Sequence, residues 1–329
     1  MSEVNQRQWS DLPSELISEI AERLGPVEVV RFRSVCQAWN SASSVASAKI
    51  ESVETYEPWF IHYGFDDDSD QCQLVTTENG IITMSLPQLD ATTTCIASYQ
   101  GWLLVFKQGG SMFFFHPFSK TKIDIPKFPY SELSDHVAAF SSPPTSADCA
   151  VCLIRRSTSN DDQLDLNLLR RGGGNEWKHY KIDCPQWYID IIKYAGYGKI
   201  GEFYFFDDKD QHISFKVPRE NKKVSWHAWT TRVTSALTEI PAGAYYRSKT
   251  YFTEAEMLNK LGLPADEDVL FSICGTQTEL NDFDKFIFDE NYEFIKTSDH
   301  PEESKRQRKF KGVWIYPRFY QTSLKEQRW

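Results

Sequence analysis

The stretch WSDLPSELISEIAERLGPVEVVRFRSVCQAW, from Trp9 to Trp39, decides the fold of the N-terminal part of this chain. Pro13 can open a helix, because the first turn of a helix needs no N–H donor from that position. Apolar residues then recur every four positions, with Ile17 beside them, and predict one wide apolar stripe on a first helix. The recurring residues are Leu12, Leu16, Ile20 and Leu24. Gly25 is expected to end the helix in the left-handed conformation, and Pro26 to restart the chain.

Two more short helices are predicted in this segment. The second is expected to carry Val27, Val30 and Phe32. The third is expected to carry Val35, Cys36 and Trp39, and to run on through the small residues from Ser41 to Ala48. About 40 residues are too few for an independent hydrophobic core. Three helices with this much apolar surface therefore predict packing against another protein.

These residues resemble the F-box pattern, with Leu12-Pro13 and, at the family's spacing, Val35-Cys36 followed by Trp39. F-box segments dock on the Skp adaptor of Skp–cullin–F-box (SCF) ubiquitin ligases. The resemblance therefore implies the Skp adaptor and, through it, cullin as partners. It also implies an adaptor-facing and internal apolar surface formed by Leu12, Pro13, Leu16, Ile20, Leu24, Val30, Val35, Cys36 and Trp39. The alternative is an ordinary helical cap that packs on the chain's own large domain.

Length and composition bound the rest of the chain. At 329 residues it can hold a small module and one large domain, and we expect an F-box over residues 1–50 and a β domain over residues 51–329. A net charge of −10 argues against nucleic acid as the main partner, because phosphate binding needs clustered Lys and Arg. No apolar run approaches the roughly 18 residues of a membrane helix. Seven scattered cysteines fit a reducing compartment, so we expect the cytoplasm, the nucleus or both, without membrane association.

Three short patterns suggest chemistry but have simpler interpretations. Cys149 and Cys152 form a Cys-x-x-Cys within CAVCLI, which resembles a buried strand, and no second pair follows. We therefore expect no metal site and no cofactor. The run Asp66–Asp70 lacks the Gly and the distal Glu of a calcium loop and is expected at a hairpin tip. The basic run Lys305–Lys309 has the composition of a nuclear localisation signal, but its acidic neighbours favour a solvated loop.

Beyond residue 50 the pattern is that of strands and turns. Aromatic residues make up 14% of the chain and fall in short bursts bounded by Gly, Asp, Asn, Ser or Pro. Gly101–Phe106 and Met112–Phe115, separated by a polar turn, are echoed 100 residues later by Gly201–Phe206 and His212–Phe215. This offset suits two units of about 50 residues, the size of a kelch-type propeller blade. The expected fold class is mainly β with an N-terminal all-α module, a three-helix F-box followed by a kelch-like β-propeller; a β-sandwich is the alternative.

A propeller fold predicts further strand pairing and side-chain packing. The strand near Val313 to Tyr316 should pair with a sheet that holds early strands, which would seal the ring against edge-to-edge association. Trp102 and Phe203–Phe206 should pack between neighbouring sheets. One short helix is expected at Glu254–Leu261, ended by Gly262.

The C-terminal part resembles the kelch-like, functionally uncharacterised domain of a large class of plant F-box proteins. The matching stretches are Ser98–Leu103, His116–Ser119 leading to Ile125-Pro126, Thr250–Glu254 and Val313–Pro317. His116 stands where that class has Asn before Pro-Phe. The chain between residues 254 and 309 departs from the pattern most.

No local enzyme motif is present in the sequence: there is no G-x-S-x-G, Walker loop, G-x-G-x-x-G or H-E-x-x-H. We therefore expect a binding protein rather than an enzyme, namely the substrate-recognition subunit of an SCF ubiquitin ligase. Its F-box would bind the Skp adaptor and its β domain a target protein. A Skp-binding scaffold without targets, or a β-propeller enzyme whose site assembles from distant segments, stays open as an alternative. The target itself cannot be identified from the sequence, because the side chains of recognition loops follow no general code.

Overall fold

The computed structural model describes residues 9, 12–51, 59–64, 70–76, 80–174, 176–186, 189, 192, 194–198, 201–206, 211–216, 225–230, 270–274, 279–280, 309–319 and 329. Its N-terminal helices are α1 (Ser14–Ala21), α2 (Pro26–Arg33), α3 (Gln37–Ala42) and α4 (Ser44–Glu51). The prediction of three helices is thus corrected to four, because the small-residue segment does not continue the third. At the break, the Ser43 hydroxyl donates to the carbonyl oxygen of Asn40 at 2.7 Å. Hydroxyl bonding of this local kind competes with continuation of a helix.

Two expectations about helix ends are wrong. Gly25 has φ −74° and ψ 172°, so it is the extended N-cap of α2 and not a left-handed helix end. Pro26 does restart the chain as the first residue of α2, where its missing N–H is not needed. Val35 and Cys36 precede α3 and do not belong to it; Cys36 is its extended N-cap. The turn between α2 and α3 therefore carries both residues.

The described residues after the helices form four β-sheets, which we call blades 1 to 4. Blade 1 contains β1 (Trp59–Tyr63), β2 (Gln71–Thr76), β3 (Gly80–Ser85), β16 (Leu270–Cys274) and β18 (Lys309–Ile315), in the order β16-β18-β1-β2-β3. Blade 2 contains β4 (Thr93–Tyr99), β5 (Trp102–Lys107), β6 (Ser111–His116) and β7 (Thr121–Ile125) in sequence order.

Blades 3 and 4 repeat this arrangement. Blade 3 contains β8 (Val137–Phe140), β9 (Ala150–Arg156), β10 (Gln163–Arg170) and β11 (Lys178–Asp183) in sequence order. Blade 4 contains β12 (Tyr194–Gly198), β13 (Glu202–Phe206), β14 (Gln211–Lys216) and β15 (Ser225–Thr230), with β17 (Glu279–Leu280) parallel to β12.

The sequence repeat corresponds to equivalent hairpins in different blades. β5 pairs with β6 and β13 pairs with β14, and each hairpin occupies the second and third positions of its blade. β1–β3, β4–β7, β8–β11 and β12–β15 follow one another along the chain as separate antiparallel meanders, which is the organisation of a propeller and not of a sandwich. The prediction of a mainly β fold with a β-propeller is therefore confirmed.

The predicted closure is also confirmed. β18 lies antiparallel to β1, with Trp314 opposite Phe60 and their ring centroids 5.2 Å apart. Gly312 lies under the ring of Phe60, where a Cβ atom would overlap the ring, so this position requires a glycine. A C-terminal strand thus completes the first blade and covers an edge that β1 would otherwise expose.

Apolar residues between successive blades form the core, in the alternation that the period-2 geometry of strands requires. Along β9, Val151 and Leu153 face the cluster between blades 2 and 3, whereas Cys152 and Ile154 face the cluster between blades 3 and 4. Cys149 faces the first of these clusters. The two thiols of the Cys-x-x-Cys are therefore buried on opposite sides of one sheet, which explains why they cannot share a metal ion.

The predicted packing of the aromatic bursts is confirmed where the structure describes it. Trp102 is buried between blades 2 and 3, and Phe203 and Phe205 are buried between blades 3 and 4. The helix predicted at Glu254–Leu261, residues 305–308 of the basic run and residues 66–69 of the acidic run lie outside the described residues.

Candidate functional site

Helix α1 has two apolar faces, whereas the sequence predicted one stripe. α1 ends at Ala21, so Leu12 and Leu24 lie outside it. Ile17 and Ala21 are one turn apart and buried. Leu16 and Ile20 are also one turn apart, on a different face, and are 47% and 39% exposed. Since residues four apart share a face of a helix, one pair packs inward and the other is presented to solvent.

Exposed apolar side chains are concentrated in the N-terminal helical part. Six large apolar side chains are exposed in the part of the chain that the structure describes, and five of them fall within residues 9–45. We call these five the exposed apolar set: Trp9, Leu16, Ile20, Val35 and Val45. The sixth, Ile81, lies on β3. Such a concentration on one small module is typical of a protein-interaction surface.

The nine residues predicted to form the adaptor-facing and internal surface fall into two groups. Pro13, Leu16, Ile20 and Val35 are exposed, whereas Leu12, Leu24, Val30, Cys36 and Trp39 are half-buried. The second group supports the first: Trp39, for example, packs on Phe32 with ring centroids 4.4 Å apart. The sequence analysis missed Trp9 and Val45. Neither falls on the apolar repeat, and only their exposure in the structure distinguishes them.

The inward face of the helices is shared with the propeller. Ile17, Val29 and Phe32 belong to the same hydrophobic cluster as Trp59 of β1 and Phe319, beyond β18. Arg33 of α2, which is buried, reaches across this contact to the C-terminal end of the chain. The helices therefore form a module that presents the exposed apolar set to solvent and shares a buried apolar cluster with blades 1 and 2.

Three of the described histidines, His62, His116 and His136, are buried and have the environment of core residues. Burial lowers the pKa of His62 and of His136 to about 4. Burial, and next the positive charge of Arg33, lower the pKa of His116 to about 3. The Nδ1 atom of His116 accepts a hydrogen bond from the Ser119 backbone N–H at 3.1 Å and lies 3.0 Å from the Ser119 hydroxyl oxygen. An Asn side-chain oxygen can cap a turn in the same way, which accounts for His at this position.

A polar network on blade 3 was not found from the sequence. Arg155 on β9 faces Asp165 on β10, with Nη2 and Oδ2 3.5 Å apart, and its guanidinium lies 4.6 Å from the ring centroid of Tyr130. His179 on β11 places Nε2 3.6 Å from Oδ1 of Asp165. This network ties three strands to the loop that carries Tyr130, and we assign it a structural role.

Two further observations concern the described residues only. They contain no group of three or more His, Cys, Asp or Glu side chains arranged to hold a metal ion. None of their helices is long and apolar enough to cross a membrane.

Comparison with known proteins finds a match for both parts of the chain. Residues 9–46 match the F-box domain, and residues 71–274 match the KIB1-4 beta-propeller. These ranges contain the exposed apolar set and most of the strands of blades 1 to 4.

Several proteins of Arabidopsis thaliana are similar in sequence. One F-box protein is 32% identical over 148 residues, which cover 45% of this chain and 36% of that protein. A second F-box protein is 30% identical over 195 residues, covering 56% of this chain and 38% of that protein. An F-box/kelch-repeat protein is 28% identical over 228 residues, covering 67% of this chain and 58% of that protein. The chain thus spans well under half the length of the first two relatives.

Proposed function

Since the chain belongs to the KIB1-4 β-propeller family and carries an F-box domain, we propose that it is the substrate-recognition subunit of an SCF ubiquitin ligase. Its F-box binds the Skp adaptor and thereby cullin, and its propeller binds a target protein. The observation that carries this proposal is the exposed apolar set, which lies within residues 9–45 while other apolar residues of the same helices are buried in a cluster shared with the propeller.

The mechanism is proximity and requires no chemistry from this chain. Binding the target on the same protein that binds the adaptor raises the effective concentration of target lysines near the charged conjugating enzyme. In this proposal the F-box occupies residues 1–50 and the target-binding domain residues 51–329, so that the module boundary lies between Lys49 and the start of β1 at Trp59. We further propose a location in the cytoplasm or the nucleus, which imaging of a fluorescent fusion tests.

Adaptor binding is tested by removing the two exposed side chains of α1. Leu16 and Ile20 are each about half exposed, so burying both at an interface contributes on the order of 2 kcal/mol, taking half the value of full burial for each. The double variant Leu16→Ala, Ile20→Ala is therefore expected to weaken adaptor binding about 30-fold. Calorimetry with purified Skp adaptor measures this change.

Ile81→Ala provides the matched control. Ile81 is an exposed isoleucine like Ile20, but it lies on β3 of the propeller. This variant should bind the adaptor as the wild type does. An α1 double variant that binds as tightly as Ile81→Ala would contradict the proposed docking surface.

Target binding needs a separate experiment. Proximity labelling in cells, with and without a proteasome inhibitor, should yield proteins that accumulate near this chain only when degradation is blocked. Their half-lives should lengthen when the chain is deleted. A chain that binds the adaptor but changes no half-life would be a scaffold and not a receptor.

A further inference from the structure

The chain continues beyond the closing strand into the contact between the helices and the propeller. Residues 316–319 follow β18, and we call them the junction segment. On the propeller side, Phe319 packs on Phe118, which follows β6, with ring centroids 5.3 Å apart. Phe118 in turn packs on Trp59 of β1 at 5.6 Å. The segment continues β18 of blade 1 and contacts blade 2 through Phe118, which itself packs on blade 1.

The junction segment passes close to the turn between β4 and β5. Gly101 in this turn has φ +78°, and a Cβ atom there would lie 2.6 Å from Cβ of Arg318. A residue with a side chain would therefore both strain the turn and push the segment away. The backbone of residues 318 and 319 is consequently held against blade 2.

On the other side, Arg33 of α2 links the junction segment to α4. Its Nη1 donates to the carbonyl oxygen of Phe319 at 3.3 Å and to the hydroxyl of Ser47 at 3.0 Å. The Ser47 hydroxyl donates to the carbonyl oxygen of Ser43 at 2.8 Å. The guanidinium also lies 5.5 Å from the ring centroid of Phe319. One buried cation therefore connects two helices to the C-terminal end of the described propeller.

The apolar packing around this link is continuous. Val29, Phe32 and Ala46 of the helices share one cluster with Trp59 and Phe319. A module of about 40 residues cannot complete a core alone. Here the propeller supplies the missing surface, and the buried Arg33 restricts how the two surfaces can fit, since a charged group must keep its partners when buried.

From these contacts we propose that Arg33 and Phe319 are positioning residues, which hold the F-box and the propeller in one fixed orientation. This inference rests on the proposed ligase function and deepens it. A bound target would be presented at one distance and angle to the conjugating enzyme. The set of lysines that receive ubiquitin is thereby determined by the junction as well as by the target-binding surface.

The first experiment measures the junction without any ligase. Hydrogen exchange of the full chain is compared for wild type, Arg33→Met and Phe319→Ala. Amides of α2 and α4 are expected to exchange at least about ten-fold faster in both variants, because the helices lose the surface that protects them. Amides of blade 3 should keep their protection.

Phe128→Ala is the matched control for Phe319→Ala. Phe128 is an equally buried phenylalanine, but it lies between blades 2 and 3, away from the helices. It should loosen those blades and leave α2 and α4 protected. Helices that stay protected in the junction variants, or that loosen to the same extent in Phe128→Ala, would overturn the inference.

The second experiment tests how the propeller is oriented relative to the conjugating enzyme in the reconstituted ligase. The chain's own lysines serve as the substrate. Mass spectrometry maps which lysines receive ubiquitin. Arg33→Met is expected to bind the Skp adaptor with unchanged affinity but to spread modification over lysines that are unmodified in the wild type. Arg33→Lys retains the charge without the planar fork and should give an intermediate pattern.

The outcomes separate the two proposals. If the wild-type chain fails to bind the adaptor, the proposed function is wrong, and the exchange experiment still decides whether the junction is rigid. If the wild type binds and is modified, and Arg33→Met gives the same lysine pattern, the positioning role is refuted. A loss of stability alone would lower the yield of modification without changing its pattern.

Discussion

Truncation of Trp314 tests whether the C-terminal strand closes the propeller. Trp314 is 2% exposed, lies on β18 opposite Phe60 of β1, and contacts that ring edge-on at 5.2 Å. Removing a buried aromatic side chain to Ala costs about 3–5 kcal/mol in known cores. Part of this cost is the aromatic pair itself, which contributes about 1 kcal/mol. We therefore expect Trp314→Ala to lower the free energy of unfolding by about 4 kcal/mol.

The assay is urea unfolding followed by circular dichroism, together with the melting temperature. For a domain of more than 150 residues, a loss of about 4 kcal/mol corresponds to a decrease in the melting temperature of roughly 10 °C. Trp9→Ala is the matched control, because Trp9 is the same residue type but is 74% exposed. Its effect on stability should stay within about 0.5 kcal/mol.

Two results would refute the closure argument. One is a Trp314→Ala variant as stable as Trp9→Ala. The other is an unchanged melting temperature after removal of residues 310–329, since that deletion takes away most of β18 and the junction segment. Either result would mean that β1 does not depend on β18 as its neighbour.

Three further predictions follow from buried groups. The pKa of His116 is lowered to about 3 and those of His62 and His136 to about 4, against 6.5 in the unfolded chain. Below pH 6.5 the unfolded state thus binds more protons than the folded state. The free energy of unfolding should therefore fall as the pH drops towards 4, by up to about 1.4 kcal/mol per pH unit for each histidine. His116→Asn should reduce this slope in urea titrations at several pH values, and an unchanged slope would contradict the role given to His116. Burial raises the pKa of the Cys149 thiol to about 12 and that of Cys152 well above its usual value. Alkylation under native conditions should therefore modify the half-buried Cys36 before Cys149 and Cys152, and purified protein should contain no stoichiometric zinc by elemental analysis. Lys311 on β18 donates from Nζ to the carbonyl oxygens of Ala91 and Thr93 at 2.6 Å. Lys311→Met should lower the free energy of unfolding by about 2 kcal/mol, whereas Lys216→Met, at an exposed residue of β14, should leave it unchanged.

Local patterns in the sequence were sufficient for the modules and for most of their elements. The Leu-Pro to Val-Cys-x-x-Trp spacing identified the F-box, and the alternation in CAVCLI identified a buried strand. The echo of Gly101–Phe106 in Gly201–Phe206 identified equivalent hairpins, from which closure by the strand near Trp314 followed. These features can be predicted from the sequence because the periodicity of helices and strands depends on residues close together in the chain.

The tertiary structure alone decided how these elements meet. Leu16 and Ile17 are both apolar, and nothing local distinguishes them; Ile17 is buried in the cluster that the helices share with the propeller, whereas Leu16 is exposed. The hydrogen bond from Arg33 to Phe319 joins residues 286 positions apart, and neither residue has a local pattern that reveals the other. The small-residue segment after Trp39 was compatible with one continuous helix, whereas the structure divides it at Ser43, whose hydroxyl donates to the carbonyl oxygen of Asn40. Periodicity specifies which residues can share a face, whereas the partner of that face depends on surfaces that come together only when distant parts of the chain have folded.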